Sequence, residues 1–160
     1  MNESRFTRAN GVFTMTCRVE VNIRASAEIV WRLLTDAEGF PRWNSTVTGI
    51  EGQIREGQRL KLHVPGSTRT FTPRVSGVTA ARRMTWSDGL PYLFNGVRTF
   101  VLERHDDSSV DFVMEEHFSG LMFALVKGTL PDFRPIFEAY ANDLKHEAER
   151  IADERRVAAH

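Results

Sequence analysis

Residues 131 to 155 read as one long amphipathic helix that follows a run of short alternating segments, and this order leaves few folds open. Phe133, Ile136, Phe137, Tyr140, Leu144, Ala148 and Ile151 recur at steps of three and four, which lines them along one side of a helix with 3.6 residues per turn. Asp132 can cap the first turn, and Pro135 falls where its missing N–H costs little. A stripe of that length must be buried. Everything between residues 44 and 119 reads as strand and turn, so the partner is the concave face of one antiparallel sheet. After Ile151 the stripe is lost, and the tail ADERRVAAH is expected to fray.

Cys17, Val19, Val21 and Ile23 alternate strictly with Arg18, Glu20, Asn22 and Arg24, which marks a first strand with one buried and one wet face. Ser26 offers an N-cap oxygen for a short helix bearing Ile29, Val30, Leu33 and Leu34. Asp36 can cap a second helix, kept brief by Gly39 and Pro41. Short strands then follow, with turns expected at Pro65-Gly66 and Asp88-Gly89. Pro73 cannot donate to a ladder and argues for an edge or a bulge.

The last two strands, about residues 93 to 104 and 109 to 119, flank the polar turn His105-Asp106-Asp107-Ser108 and predict a hairpin. Only an even register keeps Phe100 and Leu102 on the same face as Phe112 and Met114. With a loop at 106–108, Leu102 faces Phe112, Phe100 faces Met114, and Arg98 falls opposite Glu116, pointing inward. Leu121 to Val126, between Gly120 and Gly128, predicts a lid-like turn of helix or simply more core.

At 160 residues with 41% hydrophobic content the chain suits one domain. We place it at residues 14–155, with 1–13 and 156–160 as flexible termini. Lys and Arg together number 21, as do Asp and Glu, so nothing electrostatic favours a nucleic-acid partner. Lone Cys17 suits a reducing, cytoplasmic setting as a small buried hydrophobe. The opening MNESRFTRANGVF lacks the apolar core of a secretion signal, and no apolar run approaches the roughly 20 residues that span a bilayer, so no membrane insertion is expected.

Val21-x-Ile23, then Ala25-Ser26-Ala27-Glu28-x-Val30-Trp31, Leu34-Thr35-Asp36 and Phe40-Pro41-x-Trp43-Asn44, resemble the opening of the START-like helix-grip (SRPBCC) superfamily in its polyketide cyclase/dehydrase and lipid-transport branch. Gly57, Phe71-x-Pro73-x-Val75, Trp86, Gly96-x-Arg98-x-Phe100-x-Leu102 and Glu116-x-Phe118-x-Gly120 are similar to its later blocks. The resemblance implies an α+β helix-grip fold. In it a curved antiparallel sheet of about seven strands wraps a long C-terminal helix, with two short helices between strands 1 and 2 and a deep cavity between sheet and helix. It implies no single activity, because carriers, ligand sensors, aromatase/cyclases and co-chaperone domains share that scaffold.

No phosphate loop, nucleophile elbow or Cys-x-x-Cys appears, and His63, His105, His117, His146 and His160 are scattered without metal-ligand spacing. Glu115 and His117 share a strand face, more in keeping with a solvated surface than with a metal site. No metal or cofactor is expected. Arg98 and Glu116 either satisfy each other or meet a polar ligand group. The expected ligand-binding set is Trp86, Arg98, Phe100, Met114, Glu116, Phe118, Phe133, Phe137 and Tyr140, around an apolar, lipid- or polyketide-like molecule. In an aromatase/cyclase-like enzyme Arg98, Glu116 and Tyr140 are the catalytic candidates. A co-chaperone-type domain instead requires a large exposed apolar patch, which no sequence signal marks.

Overall fold

Strict alternation of apolar and polar residues makes β2 (Thr14–Ile23) a strand whose inner face, Met15, Cys17, Val19, Val21 and Ile23, is buried without exception in the computed structural model, which describes residues 3–160. It lies second in a six-stranded antiparallel sheet of order β1-β2-β8-β7-β6-β5. The other members are β1 (Arg5–Asn10), β5 (Arg74–Thr79), β6 (Arg83–Leu90), β7 (Phe94–Asp106) and β8 (Ser109–Ser119). A two-stranded ribbon, β3 (Gly49–Glu51) with β4 (Lys61–His63), completes the β structure. The ribbon is tied to the free edge of β5 through Leu60 N to Pro73 O and Val75 N to Gln58 O, both 2.8 Å. Pro73 therefore stands at the sheet edge, and a bulge follows between Ser76 and Thr79.

Between β2 and β3 come α1 (Ala27–Thr35), capped by Ser26 Oγ accepting from Ile29 N, and the one-turn α2 (Phe40–Trp43). Asp36 Oδ1 accepts from Gly39 N ahead of α2. After β8 follow α3 (Phe123–Val126), a 3-10 turn at Lys127–Thr129 and α4 (Arg134–Ala158). None of the helices of the described residues is long and apolar enough to cross a membrane.

Several expectations are corrected here. Residues 5–10, placed within a flexible terminus, form β1 and pair with β2 from Arg5 opposite Glu20 to Asn10 opposite Met15. The fraying expected after Ile151 is absent from helix α4. Pairs Arg150–Glu147, Arg150–Glu154 and Arg156–Asp153 line its outer side and Ala152 is buried, so it continues to Ala158. Ile136 leaves the stripe at 40% exposure, while Ala141 and Ala152 join it. Asp132 still accepts from Arg134 N at 3.1 Å, although Phe133 holds the N-cap position. Asp88-Gly89 is no turn: β6 continues to Leu90, because a Cβ at Gly89 would lie 2.2 Å from Phe94 O and the glycine admits that close strand approach.

The β7–β8 register is as the side-chain period requires, with Leu102 opposite Phe112, Phe100 opposite Met114 and Arg98 opposite Glu116. The loop closes through Asp107 and Ser108, and a bulge between Arg104 and Asp106 absorbs the extra residue. Helix α4 lies across the concave face, burying Phe137, Tyr140, Ala141, Leu144 and Ala148 against β2 and its neighbours.

Candidate functional site

One row of cross-strand partners runs over the concave face: Val75, Trp86, Arg98, Glu116 and Cys17, contributed by β5, β6, β7, β8 and β2 in turn. Antiparallel partners share a face, so the register that buries the apolar residues also forces one cation and one anion beneath the helix. Arg98 donates from Nε and Nη2 to Glu116 Oε2 at 3.0 and 2.6 Å. Its guanidinium also lies 5.4 Å from the Phe137 ring centroid and 6.0 Å from that of Tyr140. The two side chains keep 20% and 16% of their surface exposed, so solvent reaches the row there. Burial alone would lower the Arg98 pKa, but the charge and hydrogen bonds of Glu116 outweigh it and raise it, so the guanidinium stays charged. Burial pushes the neighbouring Cys17 thiol up, which keeps it protonated.

Below this row the seam is occupied by rings. Tyr140 stacks on Phe112 with centroids 6.2 Å apart and planes 10° apart, and it neighbours Phe100, Phe40 and Trp43. The deep cavity implied by the resemblance is thus closed at this level by aromatic side chains. A surface concavity of about 870 Å³ lies elsewhere, beside the β5–β6 turn, Val101 to Arg104 and Glu28.

The region around these rings holds buried polar atoms that none of the described residues satisfies. Trp43 Nε1, Asn44 Nδ2, Trp86 Nε1 and the Tyr140 hydroxyl are all buried without a hydrogen-bond partner among the described residues. Asn44 Oδ1 accepts from Thr46 N and Oγ1 at 2.8 and 2.7 Å, and the backbone donor fixes the amide so that Nδ2 is the unpaired end. Burial pushes the Tyr140 hydroxyl well above the ordinary phenol range, only partly opposed by Arg98, so it is a donor rather than a base. Native proteins rarely leave such groups unpaired, so each of these N–H donors is suited to meet an acceptor oxygen.

Of the residues expected at the site, Trp86, Phe100, Met114, Phe118, Phe137 and Tyr140 are buried on the concave side. Phe133 is half-buried and stacks on Phe118 at 5.1 Å. Sequence reasoning missed Phe40, Trp43 and Asn44 as site residues, although they stand in the Phe40-Pro41-x-Trp43-Asn44 block. It also missed Gly96, whose absent side chain leaves space beside Glu116 Oε1, 3.4 Å from where a Cβ would sit. Glu115 and His117 fall on the other face, where Glu115 pairs with Arg18 at 3.6 Å and His117 Nδ1 with Thr16 Oγ1 at 2.8 Å. Among the described residues no group of three or more His, Cys, Asp or Glu is arranged to hold a metal ion.

The family described as Polyketide cyclase / dehydrase and lipid transport matches residues 14–149. Among solved structures, the chain is similar to the Zhui aromatase/cyclase from Streptomyces sp. R1128, with a TM-score of 0.69 and 19% identity over 86% of this chain and 94% of that one. It is similar to a START superfamily protein from Mycobacterium smegmatis, with a TM-score of 0.63 and 17% identity over 85% and 98%. It is similar also to truncated norcoclaurine synthase from Thalictrum flavum, with a TM-score of 0.61 and 15% identity over 88% and 94%. At these identities the likeness is one of fold. No curated protein matches by sequence.

Proposed function

We propose that this chain, which belongs to the polyketide cyclase/dehydrase and lipid transport family within the START-like helix-grip superfamily, binds an apolar or aromatic small molecule bearing acceptor oxygens on the concave face. The seam is filled by packed rings beside the Arg98–Glu116 pair, so the ligand enters by displacing rings such as Trp86 and Tyr140 rather than by occupying a ready-made cavity. The observation that carries this reading is that Trp86, the cross-strand partner of Arg98, and Tyr140, whose ring centroid lies 6.0 Å from its guanidinium, bury polar atoms without a partner among the described residues beside a charged pair that solvent reaches. Each unpaired buried group costs about 1–3 kcal/mol, which an acceptor on a ligand recovers. Ring faces supply the rest of the affinity, at about 25 cal/mol per Å² of apolar surface removed from water. Flat molecules with several carbonyl or phenol oxygens meet both demands. A saturated fatty acid offers a carboxylate to Arg98 and nothing to the indole N–H groups.

Melting temperature measured against a panel of fatty acids, flavonoids and polyketide-like aromatics tests this. The oxygenated aromatics should raise it, and Arg98→Ala should abolish the rise while keeping the fold. No shift with any of them would end the reading.

The second reading is a cyclase- or dehydrase-like enzyme, favoured by the unpaired Oε1 of Glu116 and by a neutral Tyr140 donor close to a fixed cation. There Arg98 and Tyr140 donate to a ligand carbonyl oxygen while Glu116 takes a proton from the adjacent carbon, and the C–H electron pair passes into an enolate whose oxygen those donors stabilise. Turnover of a poly-oxo chain by the native protein, lost in Glu116→Gln with binding retained, distinguishes the enzyme from the carrier.

A further inference from the structure

Large apolar side chains are exposed mainly at one end of this molecule. Val12 and Phe13 in the β1–β2 turn, Leu90, Tyr92 and Leu93 in the β6–β7 turn, and Leu121, Met122 and Leu125 around α3 are all exposed, Tyr92 at 87% and Leu125 at 74%. Backbone hydrogen bonds lock the three segments together. Gly120 N donates to Phe13 O at 3.2 Å, Leu121 N to Tyr92 O at 2.9 Å and Met122 N to Leu93 O at 2.8 Å. Gly120, with φ +129°, permits the approach, since a Cβ there would lie 2.3 Å from Leu93 O. Tyr92 itself takes φ +66°, a left-handed backbone conformation that favours glycine, and its ring stands in solvent. Monomeric proteins seldom gather apolar surface this way unless something covers it.

Charge narrows the choice of occupant. Residues 11–13, 90–93 and 120–130 contain a single charged side chain, Lys127, and no carboxylate, in a chain of which 26% is charged. Lys127 is exposed, and among the described residues its Nζ bonds only the neutral carbonyl of Gly11, at 3.2 Å. The apolar side chains project from three separate turns, which suits a deformable medium better than a rigid protein face. Aromatic and long aliphatic tips beside a lone cation are also what a lipid headgroup region accommodates. Beneath the platform, Phe123 stacks on Phe94 and Phe118, each at 6.3 Å, and Phe118 on Phe133, so the exposed surface continues into the apolar floor that leads to Arg98.

We propose that this platform docks peripherally on an anionic lipid surface, with Tyr92, Leu121 and Leu125 entering the headgroup region and Lys127 meeting lipid phosphate. The expectation of no membrane insertion rested on the length of apolar runs, and shallow docking needs no spanning segment. Co-sedimentation of the whole chain with vesicles of phosphatidylcholine, alone or mixed with phosphatidylglycerol, tests it. The mixed vesicles should bind the protein, and Tyr92→Ser with Leu125→Ser should weaken binding roughly tenfold or more. Lys127→Gln should weaken it about fivefold on the mixed vesicles only. These three side chains are exposed, so the variants keep the fold, which circular dichroism verifies. Arg98→Ala should retain vesicle binding, so failure of docking and failure of the concave ligand site are told apart. Absence of binding to either vesicle, or unchanged binding by the serine variant, overturns the proposal. So does dimerisation without lipid that the serine substitutions abolish, because the platform then belongs to a second copy of the chain.

Discussion

Arg98 and Glu116 satisfy each other only halfway: two guanidinium nitrogens converge on Oε2, while Nη1 and Oε1 have no partner among the described residues. The pair therefore ties β7 to β8 and leaves one donor and one acceptor unpaired. Its energetics are testable without any ligand. Arg98→Ala alone strands a carboxylate under the helix, and Glu116→Ala alone strands a guanidinium, so each should cost about 3 kcal/mol in urea unfolding. Arg98→Met combined with Glu116→Leu should recover most of that, because apolar side chains of similar volume need no counter-ion. A coupling near zero in the double-mutant cycle would show that the two charges act independently.

Tyr140→Phe separates stability from binding. The hydroxyl is buried without a partner, so its removal should leave stability unchanged or raise it by up to about 1 kcal/mol. Affinity for an oxygenated aromatic ligand should fall about fivefold through the lost hydrogen bond. A stability loss above about 2 kcal/mol would mean that the hydroxyl has an internal partner.

What the sequence disclosed depended on how strongly one physical period constrained each segment. The β7–β8 register was legible because a one-residue slip would turn Phe100, Leu102, Phe112 and Met114 to solvent. The C-terminal stripe was legible for the same kind of reason. Strand β1 was not, since Phe6 alone packs inward, against Phe137 at 5.8 Å, and one residue makes no period. Nor could a period show that Phe40 and Trp43, on the single turn α2, reach the middle of the seam, because a one-turn helix has no face to read. Leu121 to Val126 was legible as apolar, yet only the coordinates separate buried Phe123 from exposed Leu121, Met122 and Leu125. Closure of the implied cavity depends on ring orientation, which composition does not encode.

Gly96 has an ordinary backbone conformation, so its value is the space it leaves beside Glu116. Gly96→Ala should be tolerated within about 1 kcal/mol, as the Cβ meets Glu116 Oε1 at 3.4 Å and that oxygen can give slightly. Gly96→Val should fold and yet lose the ligand-induced rise in melting temperature. A full rise in the valine variant would place the ligand away from this edge of the row.

Acid should weaken the clasp between β2 and α4. Burial pushes the Glu149 carboxyl up, but hydrogen bonds from Lys145 and from the backbone and side chain of Arg24 overcome it and hold the pKa at about 2. Lys145 Nζ also donates to Asn22 O at 2.8 Å, so the carboxylate anchors the helix to the end of the strand. A pKa depressed on folding contributes stability that is complete above the ordinary value of 4.5 and is lost as pH falls toward 2. Solvent screening limits the contribution to about 1–2 kcal/mol. Glu149→Gln should therefore lower stability at neutral pH by that amount and flatten the fall between about pH 4.5 and 2, as followed by urea unfolding at each pH. If the variant lost stability across that interval as steeply as the native chain, acid sensitivity would reside in other carboxylates.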